Sequence, residues 1–342
     1  DYAYGQSSNG FDDVFQSTRG ADGWLQSPAL APPGSPPTWV DPIAASADLS
    51  TVVLADQQEL ETHISPTEVL ERNADGSYAT LATGLPPDDN GPQAAAALSD
   101  DGGRTFLMTP AQLAGDTHES GLGLEHNGYQ LYEWTRAAGL RVFDHEEPAR
   151  RCGARLASWW NALESQPGPR DISHDGSTVV FQTPDTGTEG GLSDGGISYS
   201  GAARLAPCNA PADLYVRVGE ASPIDISRPP AGFTDYGAKY VGESADGSKV
   251  FFITRSQMTP DKTTTDPDLY EYDLGSGPLT RLSVGPPGYD DARLQVGPAA
   301  NGEGPMGSAI VSADGSHVYF EAYGQLVPGQ GANCSGTESD PE

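Results

Sequence analysis

One short phrase, written five times, constrains this chain more than any other feature. It reads Ser46-Ala-Asp48-Leu-Ser50, Ser99-Asp-Asp101-Gly102-Gly103, Ser173-His-Asp175-Gly176-Ser177, Ser244-Ala-Asp246-Gly247-Ser248 and Ser312-Ala-Asp314-Gly315-Ser316. Recurrence of one phrase along most of a chain marks a repeated structural unit, so the fold is read as an array. Asp-Gly or its equivalent between two strand-like runs signals a tight hairpin, because Gly and Asp tolerate the positive φ that primed two-residue turns demand. The runs that follow, such as Thr178-Val179-Val180-Phe181 and Lys249-Val250-Phe251-Phe252-Ile253, are apolar at consecutive positions. That pattern suits strands covered on both faces.

A second element recurs downstream: Leu131-Tyr132-Glu133-Trp134, Asp213-Leu214-Tyr215-Val216-Arg217 and Asp268-Leu269-Tyr270-Glu271-Tyr272-Asp273. After a short turn each is followed by another β-type run, Arg141-Val142-Phe143, Pro223 to Ile226 and Thr280 to Val284. A degenerate copy runs from Val69 to Arg72, turns at Asn73 to Ser77 and returns over Tyr78 to Ala82. The unit therefore has four antiparallel strands, and four-stranded units repeated around an axis make a β-propeller.

The combined pattern Ser-x-Asp-Gly-Ser-x-Val-x-Phe, Asp-Leu-Tyr-x-Tyr-Asp and x-x-Arg-Leu-Ser resembles the WD40-like repeats of TolB-type propellers, especially those of large secreted bacterial proteins. The likeness is fullest from Val241 to Val284 and thinner near Ser46, where Leu49 replaces the turn glycine. It implies one all-β propeller domain over 1–342, with five to six blades represented. Their expected bounds are 1–40 in part, 41–92, 93–170, 171–232, 233–296 and 297–342 in part. Near the start, Asp13 to Gln16 and Trp24 to Gln26 read as third and fourth strands around a turn at Arg19 to Gly23, whereas the last unit stops after its first hairpin. Two readings follow: a piece cut inside a blade at both ends, which is favoured, or a five-bladed ring closed by the amino-terminal strands. The Ser99 copy also matches the Ser-x-Asp-x-Gly-x-Thr-Phe box of sialidase-like propellers, a turn-stabilising device that confers no activity.

The longest departure from the repeat is 145–170. There Leu156, Trp159, Trp160 and Leu163 fall at i, i+3, i+4 and i+7, which predicts a short amphipathic helix over 154–165. Its tryptophans, with Arg151 and Arg155, form a candidate binding anchor, since Trp is enriched at interface hot spots. The alternative for the rings is to cover a flank of the propeller or plug its mouth.

Formal charge is −30, from 48 acidic against 18 basic residues. Phosphate binding needs clustered cations, so nucleic acid and anionic membrane are poor partners, and no apolar run approaches the ~20 residues of a membrane span. The chain is expected to be a monomer, exported to the periplasm, the cell surface or the medium. In such a compartment a disulfide between Cys152 and Cys208 is plausible, with Cys334 left over. No cofactor is expected. Asp261, Asp266 and Asp268 could offer hard oxygen ligands to calcium, although their spacing is not that of an EF-hand. His118 and His126, with Glu119 and Glu125, are a weaker metal candidate. No Gly-x-Ser-x-Gly elbow or phosphate loop occurs. The expectation is a non-catalytic scaffold whose long loops, 111–130, 145–170 and 183–212, meet a protein or polysaccharide. The alternatives are a propeller hydrolase acting on glycans, the gating propeller of a peptidase whose catalytic domain lies outside the chain, and a purely structural repeat.

Overall fold

The computed structural model describes residues 14–30, 39–60, 63–83, 85, 95–109, 113, 130–143, 154–158, 170–184, 212–285, 309–322 and 326–327. These residues are all-β, built of the four-stranded antiparallel blades of the propeller class. They fall into two compact units. The first holds residues 1–144, 159–166 and 174–176, and the second holds 145–158, 167–173 and 177–342.

In the first unit, β1 (Phe15–Gly20) and β2 (Gly23–Ala29) pair as a two-stranded ribbon. The first full blade follows: β3 (Trp39–Ala45), β4 (Val52–Leu60), β5 (His63–Arg72) and β6 (Tyr78–Thr83), paired in that order. The second blade is β7 (Ala95–Leu98), β8 (Arg104–Thr109), β9 (Gln130–Thr135) and β10 (Gly139–Val142). Val53, Val69, Leu81, Leu98, Leu107, Tyr132 and Trp134 form the core between these two blades.

The second unit holds the third blade, β11 (Arg155–Leu156), β12 (Thr178–Pro184), β13 (Ala212–Val218) and β14 (Ile224–Asp225). It also holds the fourth, β15 (Lys239–Glu243), β16 (Lys249–Thr254), β17 (Asp268–Asp273) and β18 (Leu279–Arg281). A last hairpin pairs β19 (Ile310–Val311) with β20 (Val318–Tyr319). Val250 and Phe252 pack toward the third blade with Val180, Leu214 and Tyr270. Phe251 and Ile253 pack the other way, with Val311 and Val318 of the last hairpin. The consecutive apolar residues of β16 thus serve two interfaces, as its sequence implies. Stacked cross-strand pairs recur in register, Phe181 on Tyr215 and Phe252 on Tyr270.

The repeated phrase joins first strand to second in each blade, but the turn is wider than the two-residue reversal expected. The backbone N–H of the first serine donates to the carbonyl of the residue five places on, as Ser244 does to Lys249 at 2.9 Å. Only the fourth residue takes a positive φ: 58° at Leu49, 68° at Gly102, 67° at Gly176, 68° at Gly247 and 64° at Gly315. A primed two-residue turn would need that conformation at both central residues or at the first. Side chains complete the turn. The serine hydroxyl donates to the aspartate at 2.8 Å in Ser46–Asp48, 2.7 Å in Ser99–Asp101, 2.6 Å in Ser244–Asp246 and 2.7 Å in Ser312–Asp314. The same hydroxyl accepts the N–H of the residue that opens the second strand, at 2.9–3.0 Å in all five copies. The turn of β5 and β6 repeats the device with Asn73 in place of serine and Asp75 holding the Ser77 N–H at 2.9 Å.

Neighbouring turns also lock to one another. The Asp100 N–H donates to the His174 carbonyl at 2.8 Å, and the Ala245 N–H donates to the Ala313 carbonyl at 2.6 Å. Each turn glycine lies tightly against the preceding blade, and at Gly102 and Gly247 a methyl group has no room. A Cβ on Gly247 would sit 2.5 Å from the Thr178 Cβ, and one on Gly102 would sit 2.6 Å from the Thr51 hydroxyl.

Two predictions follow from the turns. Gly247→Ala combines a left-handed backbone with a side-chain clash, so it should destabilise the second unit by about 2–4 kcal/mol in urea unfolding. Asp101, Asp246 and Asp314 are held below the usual carboxylate range first by their serine hydroxyls, and Asp48 first by the Ser50 N–H. A depressed folded value gives stability that is present above the unfolded value near 3.8 and lost as pH falls below it. Acid unfolding should therefore set in below about pH 4, and Asp246→Asn should flatten that limb.

Candidate functional site

The first strand of the third blade is built in two pieces. Arg155 and Leu156 pair with Gln182 and Phe181, and the strand resumes at Asp171, whose carbonyl accepts the Val180 N–H at 2.8 Å, and at Ile172, which bridges Val179. The helix expected over 154–165 therefore does not begin where its periodicity suggests. Leu156 and Arg155 are strand residues, because pairing with β12 satisfies their backbone and buries Leu156 in the blade. Arg155 is only 6% exposed, so its side chain is buried in the blade and not presented as part of the expected binding anchor. Arg151, Trp159, Trp160, Cys152, Cys208, Cys334, His118 and His126 lie outside the described residues, as do most of the three long loops.

Asp171 closes the base of the interruption. Its Oδ1 accepts the Ser158 N–H at 2.6 Å and its Oδ2 accepts the Ser158 hydroxyl. Beside it, on β15, stand Tyr240, which donates to the Arg170 carbonyl, and Glu243. Glu243 is 7% exposed and neither of its carboxylate oxygens has a hydrogen-bond partner. Burial pushes Asp171 up to about 7, against the pull of its Ser158 hydrogen bonds. Glu243 is raised well above the carboxylate range, first by burial and then by the charge of Asp171. Nothing in the sequence singles out this pair. Glu243 stands one residue before a copy of the phrase, where other copies have Ala45, Leu98 or Val311, and Asp171 stands two before, where others have Ala44, Ala97 or Ile310.

Two of the three carboxylates read from sequence as calcium ligands, Asp261 and Asp268, are engaged by cations of the chain itself. Asp268 is fully buried, with Lys262 Nζ on its Oδ2 and Arg281 reaching Oδ2 at 3.0 Å and Oδ1 at 3.1 Å. The Ser283 hydroxyl donates to Oδ1 at 2.7 Å while accepting the Leu269 N–H at 3.0 Å. Lys262 also donates to the Asp266 carbonyl, and Arg281 reaches Asp261 at 3.4 Å. The site thus ties the 255–267 connection to the third and fourth strands of its blade. Ser227 takes the place of Ser283 in the third blade, where it accepts the Leu214 N–H at 2.9 Å. Lys262 carries no motif that would announce it; its role follows only from the path of the chain. Among the described residues no three His, Cys, Asp or Glu side chains gather as a metal group.

In the first unit the buried acids are likewise engaged. Glu133 holds Arg104 at 3.3 Å and Arg141 at 2.8 Å. Glu71 accepts the Thr105 hydroxyl of the next blade at 3.1 Å.

Neither a family pattern nor a curated protein sequence matches this chain. Among solved structures it is similar to TolB from Acinetobacter baumannii, at 13% identity and a TM-score of 0.37 over 91% of this chain. That match spans 60% of the TolB chain, less than two thirds of its length. It is also similar to the β-propeller domain of the Trilobed protease from Pyrococcus furiosus, at 9% identity and a TM-score of 0.37, covering 83% of this chain and 71% of that one. An oligogalacturonate lyase from Vibrio parahaemolyticus matches at 12% identity and a TM-score of 0.39, covering 92% and 72%.

The Asp268 network gives a direct prediction. Asp268→Ala leaves an ammonium and a guanidinium buried without their shared counter-ion, and should cost about 3–5 kcal/mol. Lys262→Met keeps the Arg281–Asp268 pair and should cost clearly less. Hydrogen exchange of peptides covering 268–273 separates the two outcomes.

Proposed function

We propose that the chain is a non-catalytic propeller scaffold of the TolB-like, WD40-like repeat type. It would present loops to a protein or polysaccharide partner at the envelope of a bacterial cell or outside it. The observation that carries this reading is the inequality of the two ends of the second, third and fourth blades. Antiparallel order puts the first-to-second and third-to-fourth connections at one end, and the other connections at the opposite end. At the first end every connection is a short turn: 46–51, 73–77, 99–103, 136–138, 173–177, 219–223, 244–248 and 274–278. The opposite end carries the long ones, 110–129, 143–154, 185–211, 226–238 and 255–267, whereas in the first blade the second-to-third connection there is only 61–62. Rigid strands that hold variable loops in register are a general plan for recognition. The acidic composition, −30 overall, favours a partner with cationic or neutral polar groups. Three buried acids of the blades support the same reading, since Glu71, Glu133 and Asp268 are bound to neighbours of the chain.

Replacing 114–128 and 186–210 by short Gly/Ser linkers should leave hydrogen exchange of the strands unchanged. It should also abolish binding to whatever glycan or purified envelope protein the intact chain retains on an array. Binding that survives both replacements, or cleavage of a glycan or peptide by the purified chain, would contradict the scaffold reading.

A further inference from the structure

The seam between the third and fourth blades contains an arrangement that neither the propeller fold nor a scaffold role requires. Tyr240, Val250 and Phe252 face Val180, Leu214 and Val216 across it, an apolar contact of the kind that stabilises every blade pair in the two units. Register puts Glu243 opposite Val250 and Tyr240 opposite Phe252, so Glu243 projects on this same side of the sheet. Its two oxygens are buried and unpartnered. Asp171, from the broken first strand of the third blade, acts on it electrostatically, and so do Arg170 and Asp246. Tyr240 feels both acids and Arg170. These four residues are the charged or titratable groups that bear on Glu243. Arg170 is the one cation among them and is largely exposed, so its charge is screened.

Two carboxyl groups in such a place cannot both ionise cheaply, since burial and mutual repulsion each oppose the second charge. Asp171 has the better claim to the first charge because both of its oxygens accept hydrogen bonds from Ser158. Glu243, with no donor turned toward it, keeps its proton longer. We propose that Asp171 and Glu243 are a proton-sensing pair in this seam: the pair carries at least one proton at neutral pH, and loss of that proton loosens the contact between the third and fourth blades.

The direction is fixed by linkage. Both groups bind protons more tightly in the folded chain than in the unfolded one, where their ordinary values are 3.8 and 4.5. Their contribution is therefore complete below those values and is lost as pH rises, first through about 7 for Asp171 and then higher for Glu243. The turn aspartates act in the opposite sense and below about pH 4, so the two effects are separable.

The test compares wild type with Glu243→Gln, which keeps the shape and removes the titration. The ratio of their hydrogen-exchange rates in a peptide covering 239–243 cancels the intrinsic pH dependence of exchange. It should rise between pH 6 and pH 9, by up to about tenfold per pH unit for each proton released. An infrared protonated-carboxyl band should persist in the wild type at pH 8 to 9, above the titration of Asp171 near 7, and be missing there from the variant. Asp171→Asn should move the loss of that band to lower pH by removing the repelling charge. A flat exchange ratio would overturn the proposal. So would stabilisation by calcium or magnesium at neutral pH in the wild type alone, which would put a metal where the proton is assigned. If Glu243→Gln does not fold, the pH at which the wild-type band disappears, below or above 7, decides the matter.

Discussion

The serine–aspartate turn is the interaction on which the rest of this structure depends. A strand reversal exposes backbone groups to water at a place where two blades must meet closely. The serine hydroxyl takes the amide that opens the second strand, and the aspartate fixes the hydroxyl and the amide before it. With its own polar groups satisfied, the turn can lie against the next one, amide to carbonyl, as Asp100 lies on His174 and Ala245 on Ala313. The glycine at the fourth position serves two ends at once. It supplies the single left-handed residue, and its missing side chain lets the preceding blade approach. Where Leu49 stands instead, the conformation persists at φ 58°, so the surrounding hydrogen bonds outweigh the steric cost.

Once the turns set the spacing, the strands have little freedom. β16 shows why its four consecutive apolar residues are needed: alternate side chains enter different interfaces, and a polar residue at either set would be buried without a partner. Buried charge is managed in two contrasting ways within the same unit. Asp268 is surrounded by Lys262, Arg281 and Ser283, and its blade gains a cross-link between a connection and two strands. Glu243 meets no donor and stands near a second acid, so the cost of its charge is avoided only by a proton. The first arrangement reinforces the blade at any ordinary pH. The second makes one seam conditional.

Most of the fold was legible because its signals are local. The phrase, the Asp-Leu-Tyr runs and the Arg-Leu-Ser endings each announce a strand or a turn over five or six residues, and β9, β13, β16 and β17 fall where those runs predict. The turn type was misread because one left-handed residue and two give the same Asp-Gly signature. The start of the helix expected over 154–165 was misread for a different reason. Periodicity describes what a segment would do alone, whereas Arg155 and Leu156 are claimed by the free edge of β12. Lys262, Arg281, Asp171 and Glu243 were not recognised as centres because each becomes one only through residues far away in sequence. Asp268 was noticed, but for a metal rather than for an ammonium supplied by its own loop.

The amides of Asp100 and Ala245 give the most direct test of this account. Both lie in turns at the end of a blade, where an amide of an isolated hairpin would exchange freely with water. If successive turns are locked together, nuclear magnetic resonance should find these two amides protected to the same degree as the strand amides of β8 and β16, and Gly315→Ala should release Ala245 while leaving Asp100 unchanged. Exchange of both at the rate of an open loop would show that the turns close their own hairpins without joining the blades, and the central claim would fail.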